Sequence, residues 1–133
     1  MAVQLSVAVR NARLDAIETT IGSSAILKIR TGAQPATCAT ADSGTVLATL
    51  SLPADWMAAA SAGAKALAGS WADSSADATG TAAHFRIYDS GGTTCGMQGT
   101  VGTAATDLIV DSTSFTATQA FTITAFTLTD ANS

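Results

Sequence analysis

Ionisable side chains are scarce in this sequence: 133 residues carry six Lys or Arg, ten Asp or Glu and a single His. Most enzyme mechanisms need a nucleophile or a proton carrier held beside a second titratable group, so this depletion argues for a non-enzymatic protein without a cofactor. The net charge is −4 and no Lys/Arg cluster exists. The electrostatic footprint of a nucleic-acid or anionic-membrane partner is therefore missing. The first ten residues, Met1 to Arg10, lack a basic segment followed by a long apolar run and a cleavage site, which predicts a cytoplasmic product. Long apolar runs are missing too. Residues 112–129 alternate Thr with apolar side chains, a strand pattern rather than a membrane helix.

Two cysteines, Cys38 and Cys95, are too few for a disulfide framework, and their separation matches no zinc or redox motif. As a disulfide they would close a loop of 57 residues, worth about 4 kcal/mol on a chain-entropy estimate. A chain made in a reducing cytosol carries thiols first and is oxidised only later, outside the cell. The other reading is a pair of small buried hydrophobes, and both stand at this point.

What the sequence has in quantity is Ala, at 29 positions, and Thr, at 21, within an apolar content of 47%. That supplies the core of one compact domain, residues 1–133, burying about two thirds of the surface its unfolded chain exposes. Residues 5–21 read as a helix stopped by Gly22. On a helical wheel Leu5, Val9, Ala12 and Ala16 share one side, while Val7, Leu14, Ile17 and Ile21 fall nearly opposite. Arg10, Arg13, Asp15 and Glu18 then form solvated edges. A helix with two apolar sides needs two partners, its own domain and a second element or chain.

After Gly22 the period drops to two. Ala25, Leu27 and Ile29 alternate with Lys28 and Arg30 in a half-buried strand. Residues 31–44, rich in Gly, Pro, Thr and Ala, read as a long surface loop. Strands are expected at 45–52, around 65–72, at 107–110 and at 120–129, with a short helical turn at 56–60. Residues 83–88 and 95–101, joined through Asp89-Ser-Gly-Gly92, read as a hairpin with Phe85 and Ile87 inward and His84, Arg86 and Tyr88 outward. The fold expected is mainly β: an antiparallel β-sandwich or jelly-roll-like barrel of about seven strands over residues 25–129, with one N-terminal α-helix.

Candidate chemistry is thin. With Tyr88 opposite Cys95 and His84 opposite Gly99, four residues of strand put His84 on the order of 13 Å from Cys95, too far for proton transfer. His84 reads as a surface or interface residue. Asp73 with Asp77, and Asp107 with Asp111, lack the calcium-loop pattern and read as turn caps, so no metal site is expected. Trp71 reads as core. Trp56 reads equally as core or as an interface anchor.

Taken together, Leu5-Ser6, Arg10-Asn11-Ala12, Leu14-Asp15-Ala16-Ile17-Glu18, Ile21-Gly22, Leu52-Pro53-Ala54-Asp55-Trp56-Met57, Phe85-Arg86-Ile87-Tyr88-Asp89-Ser90, Thr94-Cys95 and Gln98-Gly99 form a pattern spanning most of the chain. It resembles small Ala/Thr-rich virion structural proteins of tailed bacteriophages, most of all head decoration, or cement, proteins. The resemblance implies a homotrimer on the capsid exterior, made in the host cytoplasm and bound to the major capsid protein; it assigns no residue a role. The interface candidates are Leu5, Val9, Ala12, Ala16 and Trp56. The alternatives are a tail component (tube, terminator or baseplate-associated subunit) and a carbohydrate- or host-binding module using Tyr88, Trp56 and the Asp-rich turns.

Overall fold

A computed structural model describes residues 3–130; positions 1–2 and 131–133 of the expected domain lie outside the described residues. Helix α1 spans Val7–Ile21. It starts two residues later than periodicity predicts because Ser6 caps it, accepting a hydrogen bond from Val9 N at 3.2 Å. It ends where expected: Gly22 takes a φ of 103° and donates its N–H to Glu18 O at 2.9 Å.

The strands are β1 (Ile26–Arg30), β2 (Val46–Ser51), β3 (Ala64–Ala66), β4 (Ala72–Asp73), β5 (Gly80–Thr81), β6 (His84–Tyr88), β7 (Cys95–Gly102), β8 (Leu108–Val110), β9 (Ser114–Phe115) and β10 (Phe121–Thr129). The fold class is the one expected, mainly β with an N-terminal helix and a curled sheet of seven strands in the order β2-β1-β6-β7-β8-β10-β3. Strand β4 also pairs with β10, and β5 with β9 forms a separate ribbon. The expected strand around 65–72 is thus two short strands. Residues 56–60 are extended rather than helical, with Ala58 N donating to Ala66 O at 2.8 Å and Met57 bridging Leu67.

The sheet is mixed, because β7 and β8 run parallel. The cause is local. The Asp107 carboxylate accepts from Thr100 N at 2.8 Å and Thr100 Oγ1 at 3.0 Å, folding residues 103–107 into a tight excursion that rejoins the sheet in the direction it left. Gly102 permits it, since a Cβ there would lie 2.8 Å from Thr106 Cγ2.

The period-two readings place the core correctly. Ala25, Leu27, Ile29, Phe85 and Ile87 are buried at 0–1% exposure. Phe85 meets Phe126 edge-on with ring centroids 5.5 Å apart, and Trp71 lies 5.5 Å from Phe126 and 6.0 Å from Trp56. The outer face of β6 departs from the reading. His84, Arg86 and Tyr88 are buried too, because residues 31–44 do not loop into solvent but fold back across that face as a strap. The strap contributes no strand ladder, so its carbonyls take donors from the sheet: Arg86 Nη2 reaches Thr37 O at 3.0 Å and Thr40 O at 2.9 Å, and Gln98 Nε2 reaches Pro35 O at 2.7 Å.

Candidate functional site

Two features carry the residues singled out by sequence: the faces of α1 and the polar layer beneath the strap. The inward side of α1 holds Leu14, at 4% exposure, and Glu18, at 16%; Asp15 sits at a solvated edge as expected, 47% exposed, and still reaches across to β3. Lys65 Nζ, on β3, lies 2.7 Å from Asp15 Oδ1, 3.0 Å from Glu18 Oε2 and 2.9 Å from Ala58 O. Glu18 also accepts from Met57 N, Asp15 from Ala60 N and Asn11 from Gly63 N. Arg10 Nη1 donates to Asp130 O at 3.1 Å. Asn11, Asp15 and Glu18 are anchors because the extended 56–63 segment beside the helix carries backbone N–H groups that need acceptors, and Arg10 ties the helix to the end of β10 instead. Arg13 is an exposed side chain paired with Asp130 at 3.2 Å.

Hydrogen bonding to Lys65 holds the Asp15 carboxyl below its ordinary range. For Glu18, burial works upward but the bonds from Lys65 and Met57 N prevail, so it too is lowered. Burial likewise works against the Lys65 charge, and its two carboxylates overcome it and raise the ammonium.

The other side of α1 faces outward. Val9 is 46% exposed, and Ala12 and Ala16 are exposed; Leu5 is half-buried, and Val7, expected on the side of Leu14, is 46% exposed there, at the first position of the helix. Three of the five expected interface residues, Val9, Ala12 and Ala16, therefore share an outward helical side, while Leu5 precedes the helix. The fifth does not. Trp56 is fully buried, donating Nε1 to Gly22 O at 2.9 Å and packing on Trp71, because the 56–58 segment is pulled between the helix end and the sheet. Ile17 and Ile21, expected on the inward side, are half-buried. With Ala16, Thr20, Cys95 and Gly96 they line a cleft of about 570 Å³ between α1 and β7.

Beneath the strap, Asp42 collects three donors. Oδ1 lies 2.7 Å from Arg86 Nη1 and 2.7 Å from Tyr88 OH, and Oδ2 lies 3.0 Å from Arg30 Nη2. Burial pushes the Asp42 carboxyl up, yet Tyr88 and Arg86 donating to it, with the Arg30 and Arg86 charges, hold it below the carboxylate norm. Burial pushes the Tyr88 phenol up. His84, expected at the surface, is fully buried; Nδ1 lies 2.8 Å from Gly32 O and so carries the proton, and Nε2 has no partner among the described residues. A bulge between Ile87 and Tyr88 keeps Tyr88 opposite Cys95 but sets His84 opposite Thr100 instead of Gly99.

Sequence reasoning missed Asp42. Its signal was two arginines on the outer face of adjacent strands, charges that strand alternation alone assigns to solvent.

The strap also brings Cys38 to Cys95, Sγ to Sγ 2.6 Å, both half-buried thiols. Asp73 caps a turn through Ser75 N at 3.0 Å, and Asp77 accepts from Thr49 Oγ1 at 2.9 Å. Among the described residues no three His, Cys, Asp or Glu side chains are grouped to hold a metal ion, and no helix is long and apolar enough to cross a membrane. Comparison with protein-family models, with curated proteins and with solved structures finds no match to this chain.

Proposed function

We propose that this chain is a non-enzymatic virion structural protein of a tailed bacteriophage, a decoration or cement subunit that docks as a homotrimer on the outside of the capsid shell. Its partners are copies of itself and the major capsid protein. The observation that carries the reading is the outward side of α1, where Val9 is 46% exposed and Ala12 and Ala16 continue the apolar stripe. The resemblance of the sequence to phage virion proteins supplies the class of partner. The charge inventory supports it as well: Asp15, Glu18, Lys65, Arg30, Arg86 and Asp42 are engaged in fastening elements together. Catalysis would need such groups free to meet a substrate.

A glycan-binding reading loses its aromatic surface, since Trp56 and Tyr88 are buried at 0% and 1% exposure. The test is light scattering of the purified protein at high micromolar concentration, together with co-sedimentation on expanded, DNA-filled heads. A trimer that sediments with heads supports the reading. A protein that stays monomeric and leaves heads bare overturns it, and hexameric rings or labelling of tails would assign it to the tail instead.

A further inference from the structure

We propose that Cys38 and Cys95 are a dithiol modification site, which a small disulfide oxidant of the glutathione class closes into an intramolecular disulfide, locking the 31–44 strap onto the sheet. The two sulfurs come from different elements, 57 residues apart, and already lie 2.6 Å from each other. Neither is free to drift. On the strap side, the carbonyls of Thr37 and Thr40, which flank Cys38, are both held by the Arg86 guanidinium. On the sheet side, Cys95 is paired with Tyr88 at the start of β7. Closure therefore asks for little backbone movement.

The strap is also the element that gains most from a covalent tie. It contributes no strand, most of its side chains are exposed, and it is fastened by polar contacts to Arg30, Arg86, His84 and Gln98. A segment with no ladder of its own and mostly exposed side chains is the kind that opens locally at the lowest free-energy cost.

The chemistry balances as thiol–disulfide exchange. One cysteine thiolate attacks the oxidant's S–S bond, forming a mixed disulfide and expelling one small thiolate. The second cysteine attacks the mixed disulfide and expels the other. The two cysteine sulfurs are oxidised, the two oxidant sulfurs are reduced, and the protons released by the protein thiols end on the departing small thiols. Burial, with Cys38 alongside, pushes the Cys95 thiol up to about 12, so alkaline pH favours the exchange. The Arg86 charge beside Cys95 works the other way and favours its thiolate.

The site does not depend on a virion partner, so it is tested on the purified chain. Wild type, Cys38→Ser and Cys95→Ser are equilibrated with oxidised glutathione at mildly alkaline pH, alkylated and mapped by peptide mass. The expected product is a monomer containing a Cys38–Cys95 cross-link. Its unfolding midpoint should lie above that of the reduced form by on the order of 10 °C and return on adding a dithiol reductant. Neither serine variant should show that reversible shift. Native wild type whose cysteines stay alkylatable, or end as glutathione adducts or intermolecular dimers, overturns the proposal. A cross-linked form that unfolds at the same temperature as the reduced one overturns the locking role, and both readouts are made on the wild-type chain, whether or not the variants fold.

Discussion

Asp42 shows how much can rest on one side chain of a polar loop. It receives Arg86, Arg30 and Tyr88, whose side chains lie on a sheet face with little water. Removing its charge leaves two guanidinium groups facing each other under the strap with no counter-ion, which is worse than removing all three. Asp42→Asn should cost about 2–3 kcal/mol in urea unfolding. That is at the low end for a broken buried pair because the Asp42 side chain is still 40% exposed. Asp42, Asp15 and Glu18 all hold their protons less tightly in the folded chain than carboxyls ordinarily do. The unfolded chain therefore takes up more protons as pH falls, so their contribution is complete above about pH 5 and is lost on descending through the lowered folded values. The unfolding midpoint should be flat near neutrality and fall steeply below about pH 4, a fall that is shallower in Asp42→Asn. Lys65 has the opposite sign: its raised ammonium contributes below its ordinary value of 10.5 and ceases to contribute as pH climbs past the raised one.

The elements were legible in proportion to how local their causes are. Strands β1, β2, β8 and β10 follow from alternation of apolar residues within a few positions, and the end of α1 follows from Gly22. The burial of Arg86 could not be read from its strand, because what covers it is a stretch some fifty positions earlier whose composition says only that it is polar. The inward turn of Glu18, and the reach of Asp15 across to Lys65, were hidden for a related reason. An Ala-rich helix has little apolar contrast between its sides, and the decisive partner, Lys65, lies on another element. The bulge in the hairpin was likewise invisible, yet it positions Gly96 under the last turn of α1. A Cβ on Gly96 would lie 2.5 Å from Ile21 Cγ1. Gly96→Val should therefore push the helix end off the sheet at a cost of about 1–3 kcal/mol. Hydrogen exchange of the last-turn amides of α1 should accelerate well before that of β6, and uniform acceleration through the whole chain would count against so local a wedge.

At the scale of the molecule, the outward stripe is small. One half-exposed valine and two alanines cannot approach the roughly 1,200 Å² that a stable two-body interface buries. A protein using this face to hold a shell must repeat a weak contact, and a trimer repeats it three times on one rigid body. The difference is measurable with a mild substitution that leaves the fold alone. Val9→Ala removes apolar area worth about 0.5–1 kcal/mol per subunit. One engaged subunit would lose about 2- to 5-fold in affinity for heads. Three engaged together would lose about 1.5–3 kcal/mol, or about 10- to 150-fold. Because the contact is apolar, the loss should hardly change between low and high salt, whereas a contact built on Arg13 and its neighbours would weaken as salt rises. Binding isotherms of labelled wild type and Val9→Ala on expanded heads at two ionic strengths read both quantities. A loss of only a few fold would mean that subunits act singly, and a strong dependence on salt would move the docking face off the Val9 side of the helix.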